Sequence, residues 1–341
     1  MTLPSTMKAI GFTQSLDIEQ QESLIEFQAA LPETKDGDLL VKVSATSINP
    51  ADAKIRIRSA KNKPHAQPKV LGYDAVGEVV AIGAEVKGFA VGDRVYYAGD
   101  VSRQGANAEY QAVDHRIVAH APKSLSDEAA AVMPLATLTA WEAIFDRLRV
   151  RPEEHQSILI IGGAGGVGSI AIQLAKQLTN LTVIATASRP ETEQWARDMG
   201  ADVVVNHRNL IESVRAQGIH HVDYIFNVAD TKGHWAAMVE LIAPQGMISS
   251  IVEFDDGIDL SALQGKSAGF IWELMFTRSL FQTKDIQRQQ DILFQTANLI
   301  DCGRIKSTLT TTLHDFSLST LKEAHRLIES SASIGKTAIK Y

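Results

Sequence analysis

The chain has 341 residues, 45% of them hydrophobic and 21% charged, with a formal net charge of −7. At roughly 150 residues per domain the length suggests about two domains, and the acidic balance argues against sequence-independent nucleic-acid binding, which needs a basic surface to displace counterions. A single cysteine, Cys302, excludes an intrachain disulfide and any site with two cysteine ligands; no apolar run approaches the ~20 residues of a membrane span, and "MTLPSTMKAIGF" lacks a signal-peptide core, so a cytoplasmic protein with neither membrane nor nucleic-acid partners is expected.

The first third reads as β-rich. "DLLVKVSATSI" (residues 38–48) alternates apolar and polar residues as a half-buried strand does. "AVGEVVAIG", "DRVYYAG" and "NAEYQAVD" continue the pattern, with glycines between them suited to turns. From about Ser126, a plausible N-cap, "SDEAAAVMPLATLTAWEAIFDRL" reads as helix. Strands and helices then alternate: "SILIIG", "GVGSIAIQLAKQL", "LTVIATA", "PETEQWARDMG", "DVVVNH", "VDYIFNV", "GHWAAMVELI", "GMISSIV". That alternation predicts a parallel sheet with helices on both faces. The last sixty residues break it with two amphipathic helices, a strand-like "STLTTTL" and a final strand "GKTAIKY", a mixture expected to rejoin the β-rich part.

"SILIIGGAGGVGSIAIQLAKQL" contains Gly163-Ala164-Gly165-Gly166-Val167-Gly168 between an apolar strand and a helix, the context a dinucleotide loop requires. Gly163 is read as the tight turn, Gly165 as the point of backbone approach to a pyrophosphate, and Gly168 as the close helix–strand contact. The helix N-terminus then offers unpaired N–H groups to the phosphates. The next strand would end in an acidic residue for NAD, because a carboxylate holds the ribose 2′-hydroxyl. It ends instead in Ser188-Arg189, a hydroxyl and a guanidinium that suit a 2′-phosphate, so NADP(H) is predicted. Ligands bind at the carboxyl ends of such strands, which makes Asn227-Val228 and Ile251-Val252 candidate ribose and nicotinamide contacts and His207 a candidate adenosine contact. His220 and His221 are expected to be solvated.

"GGAGGVGSIAIQLAK", "GYDAVGEVVAIGAEVKGFAVGDRV", "NAEY" and "LTAWEAI" together resemble the medium-chain dehydrogenase/reductase superfamily. The resemblance spans residues 7 to 341. It is nearest to the zinc-independent quinone oxidoreductase branch, the group labelled zinc-type alcohol dehydrogenase-like. It implies an α/β chain: a GroES-like β-rich catalytic domain (1–130 and 281–341) plus a Rossmann doubly wound parallel sheet (131–280) that binds NADP(H), with the active site in the cleft between them.

Zinc members of this superfamily use Cys, His and Cys as catalytic ligands. The corresponding positions here are Asn49 in "SINPADAKIR", Tyr73 in "GYD" (with Asp74 at the neighbouring carboxylate) and Leu135. Asn, Tyr and Leu do not supply the N, S and O donors of a zinc site, and no metal is expected. Without a Lewis acid, hydride delivery suits acceptors that delocalise their own negative charge, namely quinones and α,β-unsaturated carbonyls. The resemblance puts Asn49 near the nicotinamide ribose or the acceptor, Thr139 beside the nicotinamide, and Tyr73 in the acceptor pocket, as a proton donor or only as a surface. Asp52 and Asp74 are read as holders of backbone N–H groups, and Tyr96 and Tyr97 as strand packing. The resemblance also implies one of two roles for the segment that follows the sheet: the backbone of "MFTRSLF" is expected to close over the nicotinamide, or "FIWELMF" before it to form the edge strand of a homodimer. Two other functions compete with the reductase: an NADPH-binding redox sensor or structural protein with little turnover, and, disfavoured, a zinc-dependent alcohol dehydrogenase.

Overall fold

The computed structural model describes residues 3–330 and 332–341. It divides into two compact units, Met1–Leu135 with Phe276–Tyr341, and Ala136–Met275. Among the described residues no helix is long and apolar enough to cross a membrane.

The first unit is a β structure. One sheet joins the strands Ile25–Ala30, Thr6–Phe12 and Lys69–Val70. The larger sheet centres on Asp38–Ser47, which pairs antiparallel with Ala75–Ile82 and with Tyr110–Asp114. The chain does rejoin this unit at its end. Lys336–Lys340 pairs antiparallel with the same central strand, Ala338 opposite Ser47, and parallel with Leu309–His314. Leu39, Val41, Val43, Val79, Val95 and Val118 fill the core beneath this sheet. Tyr96 and Tyr97 point to opposite faces of the strand Arg94–Tyr97 and are both buried, so both faces of the sheet are covered there.

The second unit is a six-stranded parallel sheet in the order Val203–Val205, Thr182–Thr186, Ser157–Ile161, Val222–Asn227, Ile242–Ser250, Gly269–Trp272. Its central strands are buried on both faces, which is why they read as continuous apolar runs rather than alternating ones. The strand order reverses beside Ser157–Ile161, and ligands of such sheets bind at that switch point.

One expected helix is broken. "SDEAAAVMPLATLTAWEAIFDRL" forms Asp127–Ala131, capped by the Ser126 hydroxyl accepting from the Ala129 N–H, then Pro134–Trp141, then a π-helical stretch Glu142–Arg147. Pro134 is the cause: it has no N–H to donate, and it disfavours a helical Met133.

Candidate active site

In the second unit the strand Ser157–Ile161 runs into the glycine loop and then into the helix Gly166–Leu178. The left-handed residue of the turn is Gly162, at φ +93°, and not Gly163. Gly163 serves a different purpose. A Cβ there would lie 2.9 Å from the Ala185 methyl on the next strand, so the glycine permits close packing. Gly168 does what its spacing suggests: a Cβ would sit 2.2 Å from the Gly162 carbonyl oxygen. Gly165 has an extended backbone, φ −75° and ψ 173°, which any residue adopts, and the nearest heavy atom to a Cβ there is 3.8 Å away. Neither backbone strain nor packing in this chain requires glycine at 165. The space beside it is open, and the helix that follows has no side-chain N-cap for its first N–H groups. A diphosphate fits that cradle, which supplies amide donors at the positive end of a helix dipole.

The other residues read as nucleotide contacts lie past the carboxyl ends of the same sheet. Ser188 and Arg189 follow Thr182–Thr186, His207 follows Val203–Val205, Val228 follows Val222–Asn227, and Ile251 and Val252 follow Ile242–Ser250. The Arg189 guanidinium is part-exposed and pairs with Glu191 at 3.0 Å. His207 faces His234 edge-on, with ring centroids 6.0 Å apart. Burial first, then His234 and Arg208, lowers the His207 pKa. Asn227 is fully buried, and its amide donates to the Ala229 carbonyl, the Thr231 hydroxyl and the Ser250 hydroxyl. Thr139 is buried in the helix Pro134–Trp141. His220 and His221 are exposed.

The first unit brings Asn49, Tyr73 and Asp74 together. Asn49 is the N-cap of the helix Pro50–Arg58, and its backbone N–H donates to Asp52 at 2.9 Å. Its side-chain NH₂ donates to Asp74 Oδ2 at 2.8 Å and to the Tyr73 carbonyl at 3.4 Å. Asp52 Oδ1 accepts the Gly72 N–H at 2.9 Å, so this carboxyl holds two backbone amides from separate segments. Burial raises the Asp52 pKa to about 7. Asp74 Oδ1 accepts the Leu135 N–H at 2.7 Å, and Oδ2 accepts the Ser47 hydroxyl at 2.7 Å. Both aspartates thus hold backbone amides, Asp52 from the first turn of the helix Pro50–Arg58 and Asp74 from the residue before the strand Ala75–Ile82.

A residue that the sequence did not single out completes this cluster. Lys336 opens the last strand with its side chain buried, and its Nζ lies 3.0 Å from Asp74 Oδ2. It also donates to Asn49 Oδ1 and to the Ile48 carbonyl. The sequence offered no signal beyond a lysine at the start of the short terminal strand Lys336–Lys340.

Tyr73 is fully buried, edge-on to Phe276 at 5.4 Å between ring centroids. Its hydroxyl has no hydrogen-bond partner among the described residues. Burial first, then the nearby Asp52 and Asp100, raises its pKa above the usual phenolic value. This hydroxyl is suited to donating a hydrogen bond and unsuited to giving up its proton.

The donor set at positions 49, 73 and 135 does not fit zinc. The Asn49 amide is engaged on both of its polar atoms, and Leu135 presents only an alkyl group. Among the described residues no three His, Cys, Asp or Glu side chains gather where they could hold a metal ion.

Comparison with known proteins matches the alcohol dehydrogenase GroES-like domain to residues 35–123 and the zinc-binding dehydrogenase domain to residues 166–268. A zinc-type alcohol dehydrogenase-like protein of Staphylococcus aureus strain Mu50 is 42% identical over 338 residues, which is 98% of this chain and 99% of the relative. An NADPH-dependent alkenal/one oxidoreductase of Arabidopsis thaliana is 36% identical over 216 residues, 60% of this chain and 54% of that protein. Among solved structures, a Rhizobium etli CFN 42 protein provisionally described as a zinc-dependent alcohol dehydrogenase superposes with a TM-score of 0.93 at 42% identity, covering 99% of this chain and 98% of that one. The quinone oxidoreductase of Coxiella burnetii superposes with a TM-score of 0.80 at 27% identity, covering 98% and 99%. The chain belongs to the medium-chain dehydrogenase/reductase superfamily, in its zinc-type alcohol dehydrogenase-like group, and is an oxidoreductase of a family that uses a nicotinamide cofactor.

Proposed function

We propose that this protein is a zinc-independent, NADPH-dependent reductase of quinones or α,β-unsaturated carbonyl compounds. The observation that carries the reading is the Tyr73 hydroxyl. It is a buried donor without a partner among the described residues, and such a group costs about 1–3 kcal/mol unless something else accepts from it. It stands at a position where zinc relatives keep a metal ligand. A neutral hydrogen-bond donor steadies an oxygen as it gains charge, and an acceptor that spreads this charge over a conjugated system needs no Lewis acid beside it.

When bound, reduced nicotinamide supplies a hydride to the acceptor. The open side of Gly165 and the amides of the following helix hold the diphosphate. Ser188 and Arg189 take the 2′-phosphate, with Arg189 leaving its pairing with Glu191. Tyr73 donates to the carbonyl or quinone oxygen as that oxygen gains charge, and keeps its own proton. The proton completing the product then comes from solvent. Asn49 and Asp74 hold the Tyr73 segment in place. The alkenal reductase of Arabidopsis and the quinone oxidoreductase of Coxiella support this reading by their names.

The test is NADPH oxidation with a panel of an ortho-quinone, a 2-alkenal and a simple ketone. Turnover of the first two and not the third is expected. NADPH binding with no acceptor reduced would leave the redox-sensor reading in its place. Homodimer formation through Gly269–Trp272 is part of the proposal, because that strand is the sheet edge and Trp272 and Leu274 beside it are exposed. Sedimentation should give a dimer, and Trp272→Asp should shift it to monomer.

A further inference from the structure

We propose that Lys336 is a positioning residue for the acceptor site: its ammonium closes the Asn49–Asp74 network and thereby fixes where the Tyr73 hydroxyl stands. The inference rests on the reading of Tyr73 as the acceptor's hydrogen-bond donor. Its basis is the geometry around one buried cation. Lys336 Nζ reaches Asp74 Oδ2 at 3.0 Å, the Ile48 carbonyl at 3.4 Å and the Asn49 amide oxygen. Two of these contacts adjoin Tyr73. Asp74 is its chain neighbour, and Asn49 donates to its carbonyl.

The orientation of Asn49 follows from Lys336. An ammonium only donates, so it takes the amide oxygen and turns the NH₂ toward Asp74 and the Tyr73 carbonyl. Asp74 in turn has both oxygens engaged, by Leu135, Ser47, Asn49 and Lys336. Every polar group of this cluster is therefore directed by another, except the Tyr73 hydroxyl, which is left for the acceptor. Lys336 is itself held by strand pairing, since its backbone N–H donates to the Thr308 carbonyl at 2.9 Å. The cation is thus built into the sheet rather than placed on a flexible arm. A closed network of this kind is what keeps a donor in productive geometry.

Lys336→Met alone leaves the Asp74 carboxylate buried without its counter-charge and endangers folding. Lys336→Met with Asp74→Asn removes both charges, and the new amide still accepts from the Leu135 N–H. Lys336→Arg is the conservative control. All six tyrosines are labelled with 3-fluorotyrosine, and the Tyr73 ¹⁹F resonance is assigned by its loss in Tyr73→Phe. In the double variant the Tyr73 resonance should shift or broaden while those of Tyr224 and Tyr97 stay. The turnover number with the best acceptor should fall about tenfold or more. NADPH affinity should be unchanged, and Lys336→Arg should restore most of both signals. A double variant that melts lower but keeps the Tyr73 resonance, turnover number and acceptor KM of wild type would overturn the proposal. If wild type reduces no acceptor, the reductase reading fails, and the ¹⁹F shift still decides whether Lys336 sets the place of Tyr73.

Discussion

Gly165→Ala separates nucleotide binding from folding in this chain. The backbone at 165 is extended and open to any residue, and a Cβ there finds no heavy atom closer than 3.8 Å. Two small effects act on stability. Alanine is a poorer N-cap than glycine, and it also loses less chain entropy on folding. They oppose each other, and the net change should stay within about 1 kcal/mol. The effect on the ligand is of another size. The methyl fills the side from which a diphosphate reaches the helix amides, and losing one or two charge-assisted hydrogen bonds costs about 1.5–3 kcal/mol each. NADPH should therefore bind roughly ten- to a hundredfold more weakly, or worse.

Gly168→Ala is the necessary contrast. Its Cβ would meet the Gly162 carbonyl oxygen at 2.2 Å, a backbone atom that has nowhere to go, so the strand and helix must part. Its melting temperature should drop sharply even without ligand. The assay is a thermal melt of each variant with and without NADPH, together with a calorimetric Kd. Wild type should be stabilised by the ligand, and Gly165→Ala should melt like wild type without ligand and gain less than wild type with it, by about 1.4 kcal/mol for each tenfold loss of affinity. Wild-type NADPH affinity in Gly165→Ala would refute the assignment of this loop as the diphosphate cradle.

Tyr73→Phe removes a buried hydroxyl that has no partner among the described residues, so stability should be unchanged or rise by about 1 kcal/mol. Its kcat/KM for enones should fall about tenfold or more, and equal activity would leave the ring as a surface only. Arg189→Leu should weaken NADPH about tenfold or more with little change for NADH, and equal losses in a binding titration would refute the 2′-phosphate contact. Asp52 titrates near 7 when folded against an ordinary 3.8, so the folded state holds the extra proton between these values. Its contribution is fully favourable below about pH 4 and declines as pH rises toward 7, by at most about 4 kcal/mol. Urea midpoints should show that slope in wild type and a flatter profile in Asp52→Asn, and a wild-type slope retained by the variant would assign it to another group.

What could be read from residues one after another and what could not differ for a physical reason. The parallel sheet was legible because strands buried on both faces must be apolar throughout, as Ser157–Ile161 is. The glycine loop was legible too, although the left-handed turn falls on Gly162, because two adjacent glycines look alike until one shows its φ. The misfit to zinc was legible as well, since an alkyl group at Leu135 offers no donor whatever surrounds it. The partners of Asn49 and Asp74 were not. Lys336 reaches them only because the strand Lys336–Lys340 lies against Asp38–Ser47, nearly three hundred residues away along the chain. Single-residue chemistry states what Asn49 offers, an oxygen that accepts and an NH₂ that donates. Only the pairing of distant strands states which end faces the lysine, and therefore that the NH₂ is the end turned to Asp74 and the Tyr73 carbonyl.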